Sequence, residues 1–270
     1  MSRRFLLAGV GDLNRRVARR LLDSGESVIG LRRSAADPAL GFEQRSVDLA
    51  VEPWPDIAAD VVIIALSAAQ RDAEGYRRGY VQPVQQLGRS LQHWRTAPKR
   101  IIVVGSSRVY GANDGRDLTE DSPIHPSDWG GDCLAEMEAA IDRLPVETAV
   151  ARLSGIYGPG RDWLRRMALK ADTQPPATNH WTNRIHIDDA AAALVHLATL
   201  PALADRYLVT DRQPAPLFEV LNYLRKQQGL AALHPMPEVA GGKRLLSDRL
   251  AGSGFQWQYP NYQSGGYETL

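Results

Sequence analysis

The sequence predicts an α/β protein: a doubly wound parallel sheet with a small lobe added towards the C-terminus. Three observations carry this. The apolar runs at 60–66 ("DVVIIAL") and 100–106 ("RIIVVGS") are continuous rather than alternating, as in strands buried on both faces. Between such runs, apolar residues recur at helical spacing. This alternation holds to about residue 155, after which loops rich in Pro, Gly and aromatic residues take over.

The elements follow in order. Residues 4–9 ("RFLLAG") read as a first strand; Leu13, Val17, Leu21 and Leu22 then lie at helical spacing until Gly25 stops the helix. The second strand is 27–32 ("SVIGLR"), a weaker third lies near 42–49, and the fourth is 60–66. A helical stretch covers about 76–95, before the strand 100–106. Residues 132–144 are helical, and 147–154 ("ETAVARLS") return to strand. Beyond 155, "YGPGRDW" and "TQPPATNHW" are loops. "RIHIDDAAAALVHLATL" is a short strand and then a helix with Asp188 or Asp189 at its N-cap. A last strand is 206–211, and the tail holds one helix at about 216–228 before the aromatic "FQWQYPNYQSGGY".

Composition narrows the class. A chain of 270 residues, 44% hydrophobic, suits one large α/β domain or a domain with an appended lobe. A charged fraction of 23% and a net charge of +1 give no basic field for nucleic acid or a membrane surface. The single cysteine, Cys133, allows no internal disulfide and fits a reducing cytosol, so a cytoplasmic protein is expected. The opening "MSRRFLLAGVGD" imitates a signal peptide, but its apolar run ends at Asp12 and no small-residue cleavage site follows; a buried first strand is the better reading. No apolar stretch is long enough to span a membrane, and the six histidines show no metal-ligand spacing.

"GVGDLN" (9–14) stands where a strand turns into a helix, one residue short of the dinucleotide fingerprint G-x-G-x-x-G. In that turn the first glycine permits the bend and the second lets the backbone approach a pyrophosphate on the helix N-terminus. The third allows helix and strand to pack closely. Gly9 and Gly11 fill the two positions that face a cofactor, with Asp12 and Leu13 opening the helix beside them. Asn14 falls at the packing position, where it is expected to loosen the helix more than it harms the phosphate seat. The second strand ends not in an acid for a ribose 2′-hydroxyl but in Arg32 and Arg33, which suit a 2′-phosphate; NADP is therefore expected over NAD. Asp48 and Leu49, after the third strand, would border the adenine, and Leu66 and Ser67, after the fourth, the ribose or nicotinamide side.

"GSSRVYG" (105–111), "ARLSGIYGPGR" (151–161), "NRIHIDDAAAAL" (183–194) and the tail 243–262 together resemble the extended or atypical short-chain dehydrogenase/reductase superfamily, and within it the NAD-dependent epimerase/dehydratase branch. The resemblance runs along nearly the whole chain. It implies a Rossmann dinucleotide-binding domain at 1–155, completed by about 183–211. A small substrate lobe of 156–182 and 212–270 would cover the sheet's carboxyl edge. It also implies hydride-transfer chemistry, of oxidoreductase or nucleotide-sugar epimerase/dehydratase type. Ser106, with Ser107 as the near alternative, corresponds to the hydroxyl that bonds the reacting oxygen, and Tyr110 would stand near the site mouth. Ser154 and Ile156 correspond to the stretch bordering the nicotinamide. Dimers are frequent in the family, here through about 76–95 and 132–144.

The family's engine, Tyr-x-x-x-Lys, is missing. A phenol with a pKa near ~10 needs a neighbouring cation to work at neutral pH. The corresponding positions hold Gly130 and Leu134, and no lysine here has a tyrosine four residues before it. Three readings stay open: an enzyme using another acid (Tyr110, His125, His186 or Asp128), an NADP-binding sensor without turnover, or chemistry by positioning alone. For the small-molecule substrate, with nucleotide sugars one class, Arg161, Trp163 and Arg184 fall in loops facing the strands' carboxyl ends, where open α/β sheets bind ligands.

Overall fold

The computed structural model describes residues 2–267. In chain order the main elements are β1 Arg4–Ala8, α1 Asp12–Asp23, β2 Ser27–Arg32, β3 Glu43–Ser46, β4 Val61–Ile64, α2 Ala73–Tyr76, α3 Gln82–Leu91, β5 Arg100–Ser106, β6 Asp117–Leu118, α4 Trp129–Ile141, β7 Glu147–Leu153, β8 Gly155–Tyr157, α5 Trp163–Lys170, β9 Asn179–Thr182, β10 Arg184–His186, α6 Ile187–Thr199, β11 Arg206–Val209, β12 Ala215–Pro216, α7 Leu217–Gln227, β13 Val239–Gly242, β14 Arg244–Leu245 and α8 Asp248–Gly252.

Seven strands form one parallel sheet in the order β11-β7-β5-β4-β1-β2-β3. Its inner strands are the continuous apolar runs: Phe5, Leu6, Leu7, Val62, Ile63, Ile101 and Ile102 have no exposed surface, as burial on both faces requires. β1 pairs with β2 on one side and β4 on the other, Phe5 standing opposite both Val28 and Val61. The strand order reverses at β1, so the crevice beyond its carboxyl end is the place where doubly wound sheets bind ligands.

Three expectations about helices change. The stretch 76–95 is not one helix: α2 passes through a π-helical turn, Arg77–Val81, into α3. Pro83 has no N–H to donate within its first turn, and Gly79 lies so close to Ala68 that a Cβ would meet that residue's Cα at 2.8 Å. The helix expected at 132–144 starts earlier, at Trp129, because Asp128 caps it by accepting from the Gly131 amide at 2.8 Å. Asp188 and Asp189 are not N-caps, since α6 begins at Ile187 and both lie in its first turn. Asp189 instead accepts the backbone N–H groups of Gln258 and Tyr259 (2.9 and 2.8 Å), which ties down the aromatic tail.

The chain divides into two compact units: Met1–Gly111, Ile124–Arg152 and Ala191–Tyr207 form the first, and Ala112–Pro123, Leu153–Ala190 and Leu208–Leu270 the second. In the second, small sheets (β8 with β10, β6 with β14, and β9 between β12 and β13) frame a core of Tyr157, Ala168, Leu217, Phe218, Leu221 and Tyr262. Buried Arg225 stitches that core by donating to the carbonyls of Ala168 (2.8 Å) and Ala231 (2.6 Å) and to Asp172 (2.7 Å). No helix among the described residues is long and apolar enough to cross a membrane.

Candidate functional site

The first unit carries a cleft of about 260 Å³ beyond β1, β2 and β4. Gly9, Gly11, Arg32, Arg33, Asp48, Leu49, Leu66 and Ser67 all line it, so eight residues separated by up to 58 positions in sequence meet in one place. Gly9 has φ +82° and its Cβ would lie 2.4 Å from the Ala65 carbonyl oxygen, so only glycine serves there. Gly11 is different. A Cβ on it would meet no atom within 4 Å, although the residue lines the cleft, so a side chain would fill space that the cleft leaves open. Gly11 is also the N-cap of α1, and no side chain caps that helix. Backbone N–H groups are thus left for an anion at the positive end of the helix dipole.

Asn14 does not loosen the helix. It is wholly buried, and its Nδ2 donates to the carbonyls of Ala8 (3.0 Å) and Gly9 (3.1 Å). The side chain that replaces the third glycine therefore bonds α1 to the end of β1. Asp12 pairs with Arg16 at 3.1 Å on the exposed face of α1, and Leu13 is buried beneath it; neither lines the cleft.

At the far end, Arg32 is held by donating from Nε to Ser34 (2.9 Å) and from Nη1 to Gln44 (3.0 Å). Arg33 beside it is exposed. Asp48 is engaged by Arg78 at 2.6 Å. Arg78 and Gly79 also line the cleft. Sequence reasoning missed both because they lie in the π-helical turn, where helical spacing gives no cue to which side chains face the sheet's edge.

The catalytic candidates after β5 are mostly committed to structure. Ser106 caps a 3₁₀ turn, Ser107–Val109, accepting from the Arg108 amide at 3.2 Å. Ser107 is half-buried in that turn. Tyr110 is a correction: it is 2% exposed and its hydroxyl accepts a short bond from Arg152. Arg152 is itself clamped by Glu138 through two bonds (3.0 and 2.7 Å). Such a buried, fully bonded network is a structural brace rather than a site mouth. Asp128 is no neutral-pH acid. Burial would raise its pKa, but the Gly131 amide and the Arg108 guanidinium outweigh this and hold the carboxyl below its usual range.

Gly130, where the resemblance would put the tyrosine, packs against Arg108. A Cβ on Gly130 would lie 2.4 Å from the Arg108 guanidinium carbon. Arg108 bonds both Asp128 oxygens (3.0 and 3.1 Å) and the Tyr76 hydroxyl (2.9 Å), and lies against the rings of Tyr76 and Trp129 (5.4 and 5.2 Å), which touch each other edge to face. Leu134 is buried in α4. The signal was "WGG" (129–131): two glycines in a helix's first turn cost helix stability and imply that something packs against them.

The second unit has its own cavity, about 630 Å³, and the three substrate candidates Arg161, Trp163 and Arg184 all line it. Ile156 lines this cavity rather than the nucleotide cleft, and Ser154 is buried, donating to the Thr210 hydroxyl at 3.0 Å. Both belong to the second unit, which the chain enters at Leu153. His125 serves through its backbone, its carbonyl accepting from Gly111 at 2.8 Å. His186 is buried against Tyr259, ring centroids 3.8 Å apart, and accepts at Nδ1 from the Asp188 amide. Among the described residues no group of three or more metal-ligating side chains converges.

No family model and no curated protein matches the sequence. Solved structures do. One from Methylobacillus flagellatus, named for the NAD-dependent epimerase/dehydratase class, is 34% identical, with a TM-score of 0.86 over 100% of this chain and 98% of that one. A human epimerase-family protein solved with NADPH is 18% identical, with a TM-score of 0.80 over 98% of each chain. A nucleoside-diphosphate sugar epimerase from Corynebacterium glutamicum is 18% identical, with a TM-score of 0.81 over 100% of this chain and 58% of that one. The last two are similar in fold alone.

Proposed function

The chain belongs to the NAD-dependent epimerase/dehydratase family of the extended short-chain dehydrogenase/reductases, and on that premise we propose that it binds NADP(H) in the first unit's cleft and acts as an oxidoreductase or epimerase/dehydratase with a rebuilt proton-transfer centre. The observation that carries the reading is Gly11, whose missing side chain leaves open the seat that the uncapped α1 N-terminus faces. NADP(H) would supply the carbon that gives or takes a hydride. The protein's part begins with the backbone amides of α1, which hold the pyrophosphate, and with Arg33 and Arg32, which take the 2′-phosphate. Arg32 is pre-aimed by Ser34 and Gln44. Asp48 is paired with Arg78 at 2.6 Å. Arg108, fixed by Asp128 against Gly130, is a cation beside the position that the resemblance assigns to the phenol.

A second reading is a non-catalytic NADP-binding sensor. Tyr110, Ser106 and Asp128 are each bound into the fold, which favours it. The test is thermal shift with NADPH, NADP, NADH and NAD, then turnover on ketones and nucleotide sugars. A ligand at 100 times its Kd adds about 2.7 kcal/mol of stability. We expect NADPH to stabilise more than NADH, and Arg32→Ala with Arg33→Ala to abolish that difference while sparing NADH. Equal loss for both cofactors would refute the 2′-phosphate role. Stabilisation by NADPH with no turnover would decide for the sensor.

A further inference from the structure

We propose that the cavity of the second unit binds an organic monoanion, a carboxylate on an apolar body, and that Arg184 recognises its charge. Arg184 is 2% exposed and lines the cavity. Its Nη2 donates to Thr182, at the carbonyl (3.3 Å) and the hydroxyl, and its guanidinium lies over the Tyr262 ring at 5.2 Å. Its Nε and Nη1 are buried and have no hydrogen-bond partner. A buried cation with unused donors is costly, and an anion seated on them offsets that cost. The hydroxyl of Tyr267, also on the cavity wall, is buried and unpartnered too.

Charge and shape choose the anion. The exposed Arg166, also on the wall, is paired with Asp162 at 3.1 Å, and the half-buried Arg161 has interactions of its own, so Arg184 supplies the buried positive charge. Asp211 lies close behind it: the Asp211 amide donates to the Arg184 carbonyl at 2.7 Å, and one of its carboxylate oxygens is buried without a partner. A second negative charge in the ligand would have no second buried cation to balance it. A carboxylate carries one charge on two oxygens and suits a guanidinium. The rest of the wall includes Ile156, Leu164, Met167 and Leu217, which suit an apolar body, and about 630 Å³ is the size of a small-molecule site. The same argument disfavours a diphosphate as the group held here.

The inference rests on this cavity being the substrate side of the proposed enzyme, but its test needs no cofactor. Calorimetric titration of the full chain would compare 4-phenylbutyrate, 4-phenylbutan-1-ol, 4-phenylbutyl phosphate and uridine 5′-diphosphate. A hydrogen-bonded charge pair predicts that the carboxylate binds roughly 10- to 100-fold tighter than the alcohol, and tighter than either phosphate compound. Arg184→Gln should erase the carboxylate preference and Arg184→Lys should keep part of it. Should Arg184→Gln fail to fold, the ligand ladder on the unaltered chain still decides. Equal binding of alcohol and carboxylate, no binding by any of the four, or tightest binding by a phosphate compound would each overturn the proposal. NADPH stabilisation without a carboxylate preference would sink this inference alone; the reverse pattern would sink the cofactor reading alone.

Discussion

At the scale of single residues, two glycines of one turn, Gly9 and Gly11, do different work. Gly9 is demanded by the fold, and Gly11, on the proposed function, by the ligand. Gly9→Ala would force a side chain into left-handed backbone and onto the Ala65 carbonyl, so it should cost about 1–3 kcal/mol of stability or more in chemical denaturation. Gly11→Ala meets no protein atom, so it should unfold at the same denaturant concentration as the parent and yet bind NADPH at least ~10-fold more weakly. A Gly11→Ala protein that binds NADPH normally would remove the pyrophosphate seat from this turn. Both glycines, and the arginines that share their cleft, were legible in the sequence because a strand–turn–helix is a local object with fixed spacing. Asn14 was legible only as a departure. That it bonds the end of β1 depends on where its amide points, which spacing does not encode. Tyr110 was misread for the same reason: its partner Arg152 lies 42 residues away on a neighbouring strand of the sheet.

At the scale of elements, the continuous apolar strands were legible because burial on both faces writes itself into composition. The weaker β3 shrank to four residues at the sheet's edge, where one side lacks a neighbour to reward apolar side chains. The helices were less legible. The π-helical turn before α3 comes with a tertiary contact, Gly79 on Ala68, that no local pattern announces, while the early start of α4 rests on its Asp128 cap and on two glycines that admit Arg108. The start of α4 can be tested as a unit. Gly130→Ala would push Arg108 off its place against the Tyr76 and Trp129 rings, with loss of about 1–3 kcal/mol as overpacking costs. The Trp129 fluorescence should change with it. Adding Arg108→Ala should relieve the clash, so the double variant loses less than the two single losses combined. Strict additivity would mean that Gly130 is not kept open for Arg108.

At the scale of the whole molecule, stability should carry the signature of a single buried acid. Burial pushes the Asp211 carboxyl up to about 7, only partly countered by Arg184 and by the Gln213 amide, while Asp189 adds to the rise. The unfolded chain titrates this group near its ordinary value of 3.8. Between those two values the folded protein therefore binds the extra proton, so stability falls as pH rises from about 4 to about 7 and then levels off. The full span is at most about 4 kcal/mol, from roughly three pKa units at 1.36 kcal/mol each. Asp211→Asn removes the titration while its side-chain oxygen can still accept from the Gln213 amide. The variant and the parent should be about equally stable below about pH 3.8, and the variant should be the more stable at pH 8. Denaturation curves of both proteins at several pH values isolate the effect, since every other titrating group cancels in the difference. If the variant is the less stable at pH 8, Asp211 is ionised in the fold and serves as the counter-ion of Arg184. The cation that faces the second unit's cavity would then already be neutralised, and the case for an anionic ligand would weaken with it.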